Sequence, residues 1–133
     1  MSRIKEKKGE IKMYLEELQS ILPQSLKEYQ ESLEKKAACE RYVEKIMEAA
    51  TDVAFLTIKQ KKLRIPEDDA DAFTILQEEN IIDDALAKSL KEAKGMKNIL
   101  AHQYAKVDDT IIFEAITAEL PRDIKKFIKR LPK

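Results

Sequence analysis

Apolar residues recur every three or four positions along most of the chain, the spacing that places them on one face of an α-helix. The first such stretch runs from about Ser2 to Ile21 and ends at Pro23. A second begins near Ser25 and continues to about Lys61 without glycine or proline, which predicts one long helix of about 50 Å. Its predicted inner face consists of Leu26, Tyr29, Leu33, Ala37, Val43, Ile46, Ala50, Val53 and Ala54.

Loop signals divide the remainder of the chain into further helices. Pro66, Asp68 and Asp69 predict a stop followed by an N-cap, because proline breaks a helix and a carboxylate accepts hydrogen bonds from free helix N–H groups. Asp108 and Asp109 predict the cap of another helix in the same way. The predicted helices after the long one cover residues 70–80, 81–103 and 110–120.

Pro121 opens the closing segment, PRDIKKFIKRL, where a proline suits either the first turn of a helix or a kink. Amphipathic helices joined by short loops are typical of antiparallel bundles. The pattern therefore predicts an all-α fold, an antiparallel bundle of about five helices, as one domain over residues 1–133. The apolar stripes are wide enough to permit a homodimer.

Composition excludes several classes of function. Basic and acidic residues balance at 25 each, so bulk charge does not predict nucleic-acid binding, although a local basic site stays open. The single cysteine, Cys39, excludes an internal disulfide and is predicted to be a small buried side chain; with one histidine it cannot build an ordinary zinc site. The charged start and the lack of a run of about 20 apolar residues predict a soluble cytoplasmic protein without a membrane span.

The only histidine, His102, lies near the end of the fourth predicted helix. Lys94, Asn98 and His102 are four residues apart and so stack on one face, where Asn98 can hydrogen-bond the imidazole. Lys97 and Tyr104 share a different face, and Lys97 diverges from His102 by about 140° on a straight helix. Either the helix loosens at His102 or a second copy of the chain completes the site.

These side chains suit RNA cleavage without a metal ion. An imidazole titrates near neutral pH and can accept or give a proton. A cation and a phenol hydroxyl can hold a phosphate and stabilise its developing charge. In such a reaction the ribose 2′-hydroxyl attacks the neighbouring phosphate. The alternative that the residues leave open is an ordinary polar end of a helix.

The stretch KGMKNILAHQYAKVDD, residues 94–109, resembles the signature of the HEPN superfamily, specifically the HepT-like toxins of HEPN/MNT toxin–antitoxin pairs. That signature is arginine, usually asparagine, three further residues, histidine, any residue and tyrosine. Asn98, His102 and Tyr104 match it position by position. Lys97 stands where the family has arginine.

The resemblance extends beyond this motif, over about Ser25 to Leu131. Arg41, Glu48 and Asp52 have the spacing of the family's acidic helix. From the residues themselves, they are most simply interpreted as ion pairs within or between helices. The alternatives are that they position Lys97 or a partner helix, or that the two carboxylates form a catalytic or metal-binding pair.

The resemblance implies a two-fold homodimer whose motif copies face each other across a cleft, acting as a ribonuclease without metal or cofactor. Lys97, Asn98, His102 and Tyr104 would be its catalytic residues. The partner would be an MNT-type nucleotidyltransferase antitoxin, which in some pairs transfers AMP to the motif tyrosine, here Tyr104. The added phosphate would place negative charge where the RNA phosphate binds.

The lysine at position 97 leaves two hypotheses open. Lysine lacks the planar fork with which arginine grips a phosphate through two parallel hydrogen bonds. The chain is therefore either a ribonuclease toxin with weakened activity, or a catalytically weak or inactive dimer that binds and regulates a nucleotidyltransferase.

Aromatic and basic residues elsewhere are interpreted structurally. Tyr29, Tyr42 and Phe55 lie at helical spacing and are predicted to be core rather than base-stacking platforms. The basic run IKQKKLR, residues 58–64, is predicted to be a solvated loop edge, with RNA binding as the alternative.

Overall fold

The computed structural model describes residues 3–102 and 107–132, and these fold as an all-α bundle, as the sequence predicted. Within these ranges, every helix is too short or too polar to cross a lipid bilayer. The helices are α1 (Arg3–Ile21), α2 (Leu26–Glu31), α3 (Leu33–Gln60), α4 (Asp69–Glu78), α5 (Asp84–His102), α6 (Asp109–Glu114) and α7 (Leu120–Arg130), with a π-helical turn at Ala115–Glu119.

Helix α3 runs through the centre of the bundle and is contacted by α1, α2, α4 and α5. Side-chain contacts fix the direction of α1 against it. Lys7 pairs with Asp52 at 3.4 Å near one end of α1, and the hydroxyl of Tyr42 donates to Glu17 at 3.1 Å near the other. The two helices are therefore antiparallel.

Helices α4 and α5 form a second antiparallel pair. Gln77 at the end of α4 donates to Asp84 at the start of α5 over 2.7 Å. At the opposite end of the pair, Lys94 lies 3.4 Å from Asp69. This arrangement brings the start of α4 beside the second half of α5, where the predicted site residues lie.

An apolar core holds the helices together. Its largest fully buried side chains are Ile11, Leu18, Tyr29, Ile46, Met47, Phe73, Ile75, Leu76, Leu90, Leu100, Ile116 and Phe127. Phe73 of α4 meets Phe127 of α7 edge to face, with ring centroids 5.9 Å apart. Cys39 is buried as predicted, and burial raises the pKa of its thiol to about 11, so it stays protonated and unreactive at neutral pH.

The long helix predicted from Ser25 to Lys61 is wrong in one respect, because Ser32 breaks it. The backbone of Ser32 is extended, and its hydroxyl accepts a hydrogen bond from the N–H of Lys35 at 3.2 Å, which caps α3. Serine side chains compete with the helical backbone in this way and favour caps. As a result Leu33, predicted to share the buried face, is 81% exposed.

The fifth predicted helix and the closing segment join through the π-helical turn just before Pro121. Proline has no N–H, and its ring clashes with the carbonyl four residues earlier in a regular α-helix. The widened turn avoids this clash, and the N–H of Leu120 bonds to the carbonyl of Ala115 instead. Asp108 caps α6 as predicted, by accepting bonds from two backbone N–H groups.

The predicted aromatic core is correct for Tyr29, which is fully buried, whereas Tyr42 is half-buried. The prediction is wrong for Phe55, which is 37% exposed. Phe55 lies on the flank of α3, between the start of α1 and the middle of α5, instead of facing the centre of the bundle.

The basic run ends at Arg64, which forms ion pairs with two carboxylates of α4. The guanidinium of Arg64 donates to both carboxylate oxygens of Asp71, at 2.8 and 3.0 Å, and also to Glu78. These bonds lower the pKa of Asp71 to about 2. Arg64 thus ties the loop to α4, while Lys59 and Lys62 of the same run remain exposed.

Candidate functional site

The described end of α5 presents three exposed side chains, Asn98, Ile99 and His102. His102 follows the other two by four and three residues, so all three are neighbours on the helix surface. Tyr104, predicted as a catalytic residue and as the acceptor of AMP, lies outside the described residues.

Asn98 is held by Lys94. The Nζ of Lys94 donates to the amide oxygen of Asn98 at 2.9 Å and lies 3.4 Å from the carboxylate of Asp69 on α4. An ammonium group can only donate, so it selects the amide oxygen and directs the two amide N–H donors of Asn98 away from Lys94. The sequence paired Asn98 with His102, whereas the structure gives the Asn98 oxygen to the buried Lys94.

Lys97 lies on another side of α5 from His102. It is half-buried and lines a cavity of about 320 Å³ between α3 and α5. The rest of the lining consists of Glu48, Thr51, Asp52, Phe55, Asp69 and Lys94. The structure thus brings Lys97 together with two of the three predicted supporting residues. Because α5 is an α-helix through His102, five residues at 100° each place Lys97 about 140° from His102 around the helix axis.

The predicted supporting residues separate into two groups. Asp52 forms an ion pair with Lys7 of α1 at 3.4 Å, and Arg41 forms one with Glu44 at 3.3 Å, so the ion-pair interpretation is confirmed for both. Arg41 is exposed and does not line the cavity. Glu48 lies on the cavity wall with Lys97. Any role of these residues in positioning Lys97 stays a prediction.

The two faces of α5 carry different chemistry. The exposed face offers an imidazole that can transfer protons and an amide with two donors. The cavity face offers a cation that can stabilise negative charge, beside carboxylates and an aromatic ring. In the described part of the chain, no three His, Cys, Asp or Glu side chains are grouped to hold a metal ion.

Three residues near the site were not predicted from the sequence to lie there. Lys94 was placed on the face of His102 without a role, although its spacing of four from Asn98 is typical of a helical side-chain pair. Phe55 was assigned to the core and Asp69 to a helix cap. Nothing local signals their position at the cavity, because it depends on how α3 and α4 pack against α5.

Comparison with known proteins points to one family. The family described as Ribonuclease HepT-like matches residues 11–131 of the chain. The chain is 31% identical over 86 residues to the mRNA nuclease HepT of Shewanella oneidensis, covering 65% of this chain and 64% of that protein. It thus spans just under two thirds of that relative's length. It is 30% identical over 107 residues to the tRNA nuclease HepT of Aphanizomenon flos-aquae, covering 80% of this chain and 73% of that protein.

The fold is also that of a solved structure. The tri-AMPylated Shewanella oneidensis HEPN toxin, determined in complex with an MNT antitoxin, superposes with a TM-score of 0.91 at 24% identity. The superposition covers 98% of this chain and 96% of that one. At this level of identity, the likeness demonstrates a shared helical fold.

Proposed function

Because the chain belongs to the HepT-like ribonuclease family, we propose that it is a metal-independent endoribonuclease toxin, with residues 1–133 as one HepT-like domain acting in the cytoplasm. The observation that carries this proposal is the exposed imidazole of His102 beside an asparagine amide that Lys94 orients. The nuclease relatives supply the class of reaction.

The site needs two copies of the chain. His102 and Lys97 lie on different sides of one helix, so a second copy is the simplest way to surround a phosphate with both groups. Ile99, 42% exposed beside His102, and Ile111, 59% exposed at the start of α6, offer apolar surface for a two-fold contact. A homodimer joined there places the two imidazoles on either side of one cleft.

In this dimer the two copies of His102 act as base and acid. One imidazole removes the proton of the ribose 2′-hydroxyl, and the 2′-oxygen then attacks the neighbouring phosphorus. The bond to the 5′-oxygen breaks, and the other imidazole, protonated, gives its proton to that leaving oxygen. Lys97 and the amide N–H groups of Asn98 stabilise the negative charge on the phosphate oxygens. The products are a 2′,3′-cyclic phosphate and a 5′-hydroxyl.

This function is tested by incubating the purified chain with a labelled single-stranded RNA in excess EDTA. We expect cleavage in EDTA, with cyclic phosphate at the new 3′ ends. Loss of cleavage in EDTA with recovery on adding Mg²⁺ would contradict the metal-independent mechanism.

A second candidate function follows from Lys97 standing where the family has arginine. In this alternative the chain is a catalytically weak or inactive dimer that regulates an MNT-type nucleotidyltransferase. It is favoured if neither the wild type nor Lys97→Arg cleaves RNA while the chain still binds its nucleotidyltransferase.

We propose that the partner nucleotidyltransferase silences the toxin by transferring AMP to Tyr104. With ATP and the partner enzyme, mass spectrometry should find AMP on the peptide that contains Tyr104, and RNA cleavage should stop because the added phosphate occupies the RNA site. Tyr104→Phe is the matched control, since it lacks only the acceptor oxygen. Unmodified Tyr104 in a reaction that consumes ATP would contradict the proposal.

A further inference from the structure

Every exposed side chain of helix α7 is a cation. The exposed positions are Arg122, Lys125, Lys126, Lys129 and Arg130. The other positions of the helix are buried, and they include its only acid, Asp123. Five cations therefore face solvent on one short helix, although the chain as a whole is neutral. We call this surface the α7 cationic face.

Most of this charge is not cancelled locally. Arg122 pairs with Asp123 at 3.1 Å. The other four cations form no ion pair with a carboxylate in the part of the chain that the structure describes. By contrast, Lys36 pairs with Asp109 and Arg64 with Asp71. The charges of the α7 cationic face therefore add to a local positive potential.

A groove of about 510 Å³ lies between this face and the start of α5. Its lining carries four cations and two acids: Arg122, Lys126, Lys129 and Arg130, with Asp83 and Asp123. Ser89, Arg122 and Asp123 also line a second groove, of about 280 Å³, which reaches Met96, the residue before Lys97, and whose lining includes the acids Glu92 and Glu119. The two grooves adjoin along α5, and the cations are concentrated in the first of them. From Ser89 to His102 this helix rises by about 20 Å.

We propose that the α7 cationic face binds the phosphodiester backbone of the RNA at a distance from the cleaved bond. The inference rests on the proposed function and deepens it by adding a substrate-binding surface. An RNA strand held there would lie beside the start of α5, on the helix whose far end carries His102.

The observations favour RNA over an acidic protein as the occupant. A phosphodiester chain is uniformly negative and gains affinity from each cation that it contacts. Protein interfaces are typically centred on apolar or aromatic side chains and depleted of lysine. The exposed positions of α7 include no apolar side chain and no carboxylate.

The proposal is tested by reversing charge on this face in the His102→Ala background, which prevents cleavage during measurement. The variant is Lys126→Glu with Lys129→Glu and Arg130→Glu. Its matched control is Lys59→Glu with Lys61→Glu and Lys62→Glu, three exposed cations in the basic run at the end of α3. Binding to a labelled single-stranded RNA is followed by fluorescence anisotropy at several salt concentrations.

We expect the α7 variant to lose at least about tenfold in affinity, and the slope of log K against log salt to fall by about 2. The control should stay within about twofold of the parent. The neutral variant, with glutamine at the same three α7 positions, should give an intermediate loss. Thermal unfolding identifies any variant that fails to fold, in which case the neutral variant decides.

Cleavage assays separate this proposal from the proposed function. In the wild-type background, the α7 variant should cleave a dinucleotide at the normal rate but a long RNA more slowly. If the wild type cleaves neither substrate, the proposed function fails, and the binding measurements still decide the role of α7. Unchanged affinity and salt slope in the α7 variant would overturn the inference. An equal loss of RNA affinity in the control would also overturn it. The same holds if the α7 variant keeps its RNA affinity and loses only binding to the nucleotidyltransferase.

Discussion

Replacing His102 with alanine is expected to abolish RNA cleavage, with a loss of at least about 10²–10⁴-fold in rate. Alanine can neither remove the proton of the 2′-hydroxyl nor protonate the leaving oxygen. Because His102 is exposed at the described end of α5, the substitution should leave thermal unfolding unchanged. The measurement is the rate of product formation from a labelled RNA under single-turnover conditions.

Lys88→Ala is the matched control, since Lys88 is also exposed on α5 but far from the motif. It should cleave RNA at the wild-type rate. A His102→Ala protein that folds normally and keeps more than about a tenth of the activity would contradict the assigned role.

A mixed dimer tests whether both copies of the site contribute. One protomer carries His102→Ala and the other is wild type, and the two are purified together through different tags. If base and acid come from opposite copies, the mixed dimer should be nearly as inactive as the doubly substituted one. Half of the wild-type activity would instead indicate two independent sites.

Substitutions of Lys97 are expected to have the second largest effect on the rate of RNA cleavage, and different substitutions should change that rate in opposite directions. Lys97→Met removes the charge at nearly constant length and should lower cleavage by about 10²–10³-fold, the usual cost of losing a group that stabilises developing charge. Lys97→Arg should preserve or raise activity, because guanidinium grips a phosphate through two parallel hydrogen bonds. The measurement is kcat on the same RNA, together with KM.

The cavity beside Lys97 determines which groups would surround the arginine of the Lys97→Arg variant. Glu48 and Asp52 line this cavity of about 320 Å³, so a guanidinium placed there has acidic neighbours. Lys97→Gln is the control for polarity without charge and should resemble Lys97→Met. Activity in the methionine variant equal to the wild type would show that the cation at this position takes no part in cleavage.

Local signals explain why most of the helices could be predicted. The caps at Asp68 and Asp108 and the stop at Pro66 act within a few residues, so the sequence around them is sufficient. The break at Ser32 was missed because serine is tolerated inside helices and becomes a cap only when packing bends the chain. The same break exposes Leu33, which periodicity placed in the core.

One part of the candidate site could likewise be predicted from local sequence, and the other part could not. The motif from Lys97 to His102 is contiguous and lies on one helix, so its spacing alone fixes the angle between the two side chains. The contact of Lys94 with Asp69, and the exposure of Phe55, depend on tertiary packing that no short stretch of sequence records. Tyr104 lies outside the described residues, so its role rests on the family motif.

The π-helical turn Ala115–Glu119 joins α6 and α7 into one continuous helical stretch. Such a turn amounts to an α-helix carrying one extra residue. Deleting a single residue there would restore ordinary periodicity and leave α7 in nearly the same rotational phase, because the widened turn already absorbs the roughly 100° that the extra residue adds. Ile124 and Phe127 would stay in the interior, but the ring of Pro121 would then meet the carbonyl four residues earlier, so we expect the deletion to be tolerated only when Pro121 is also replaced.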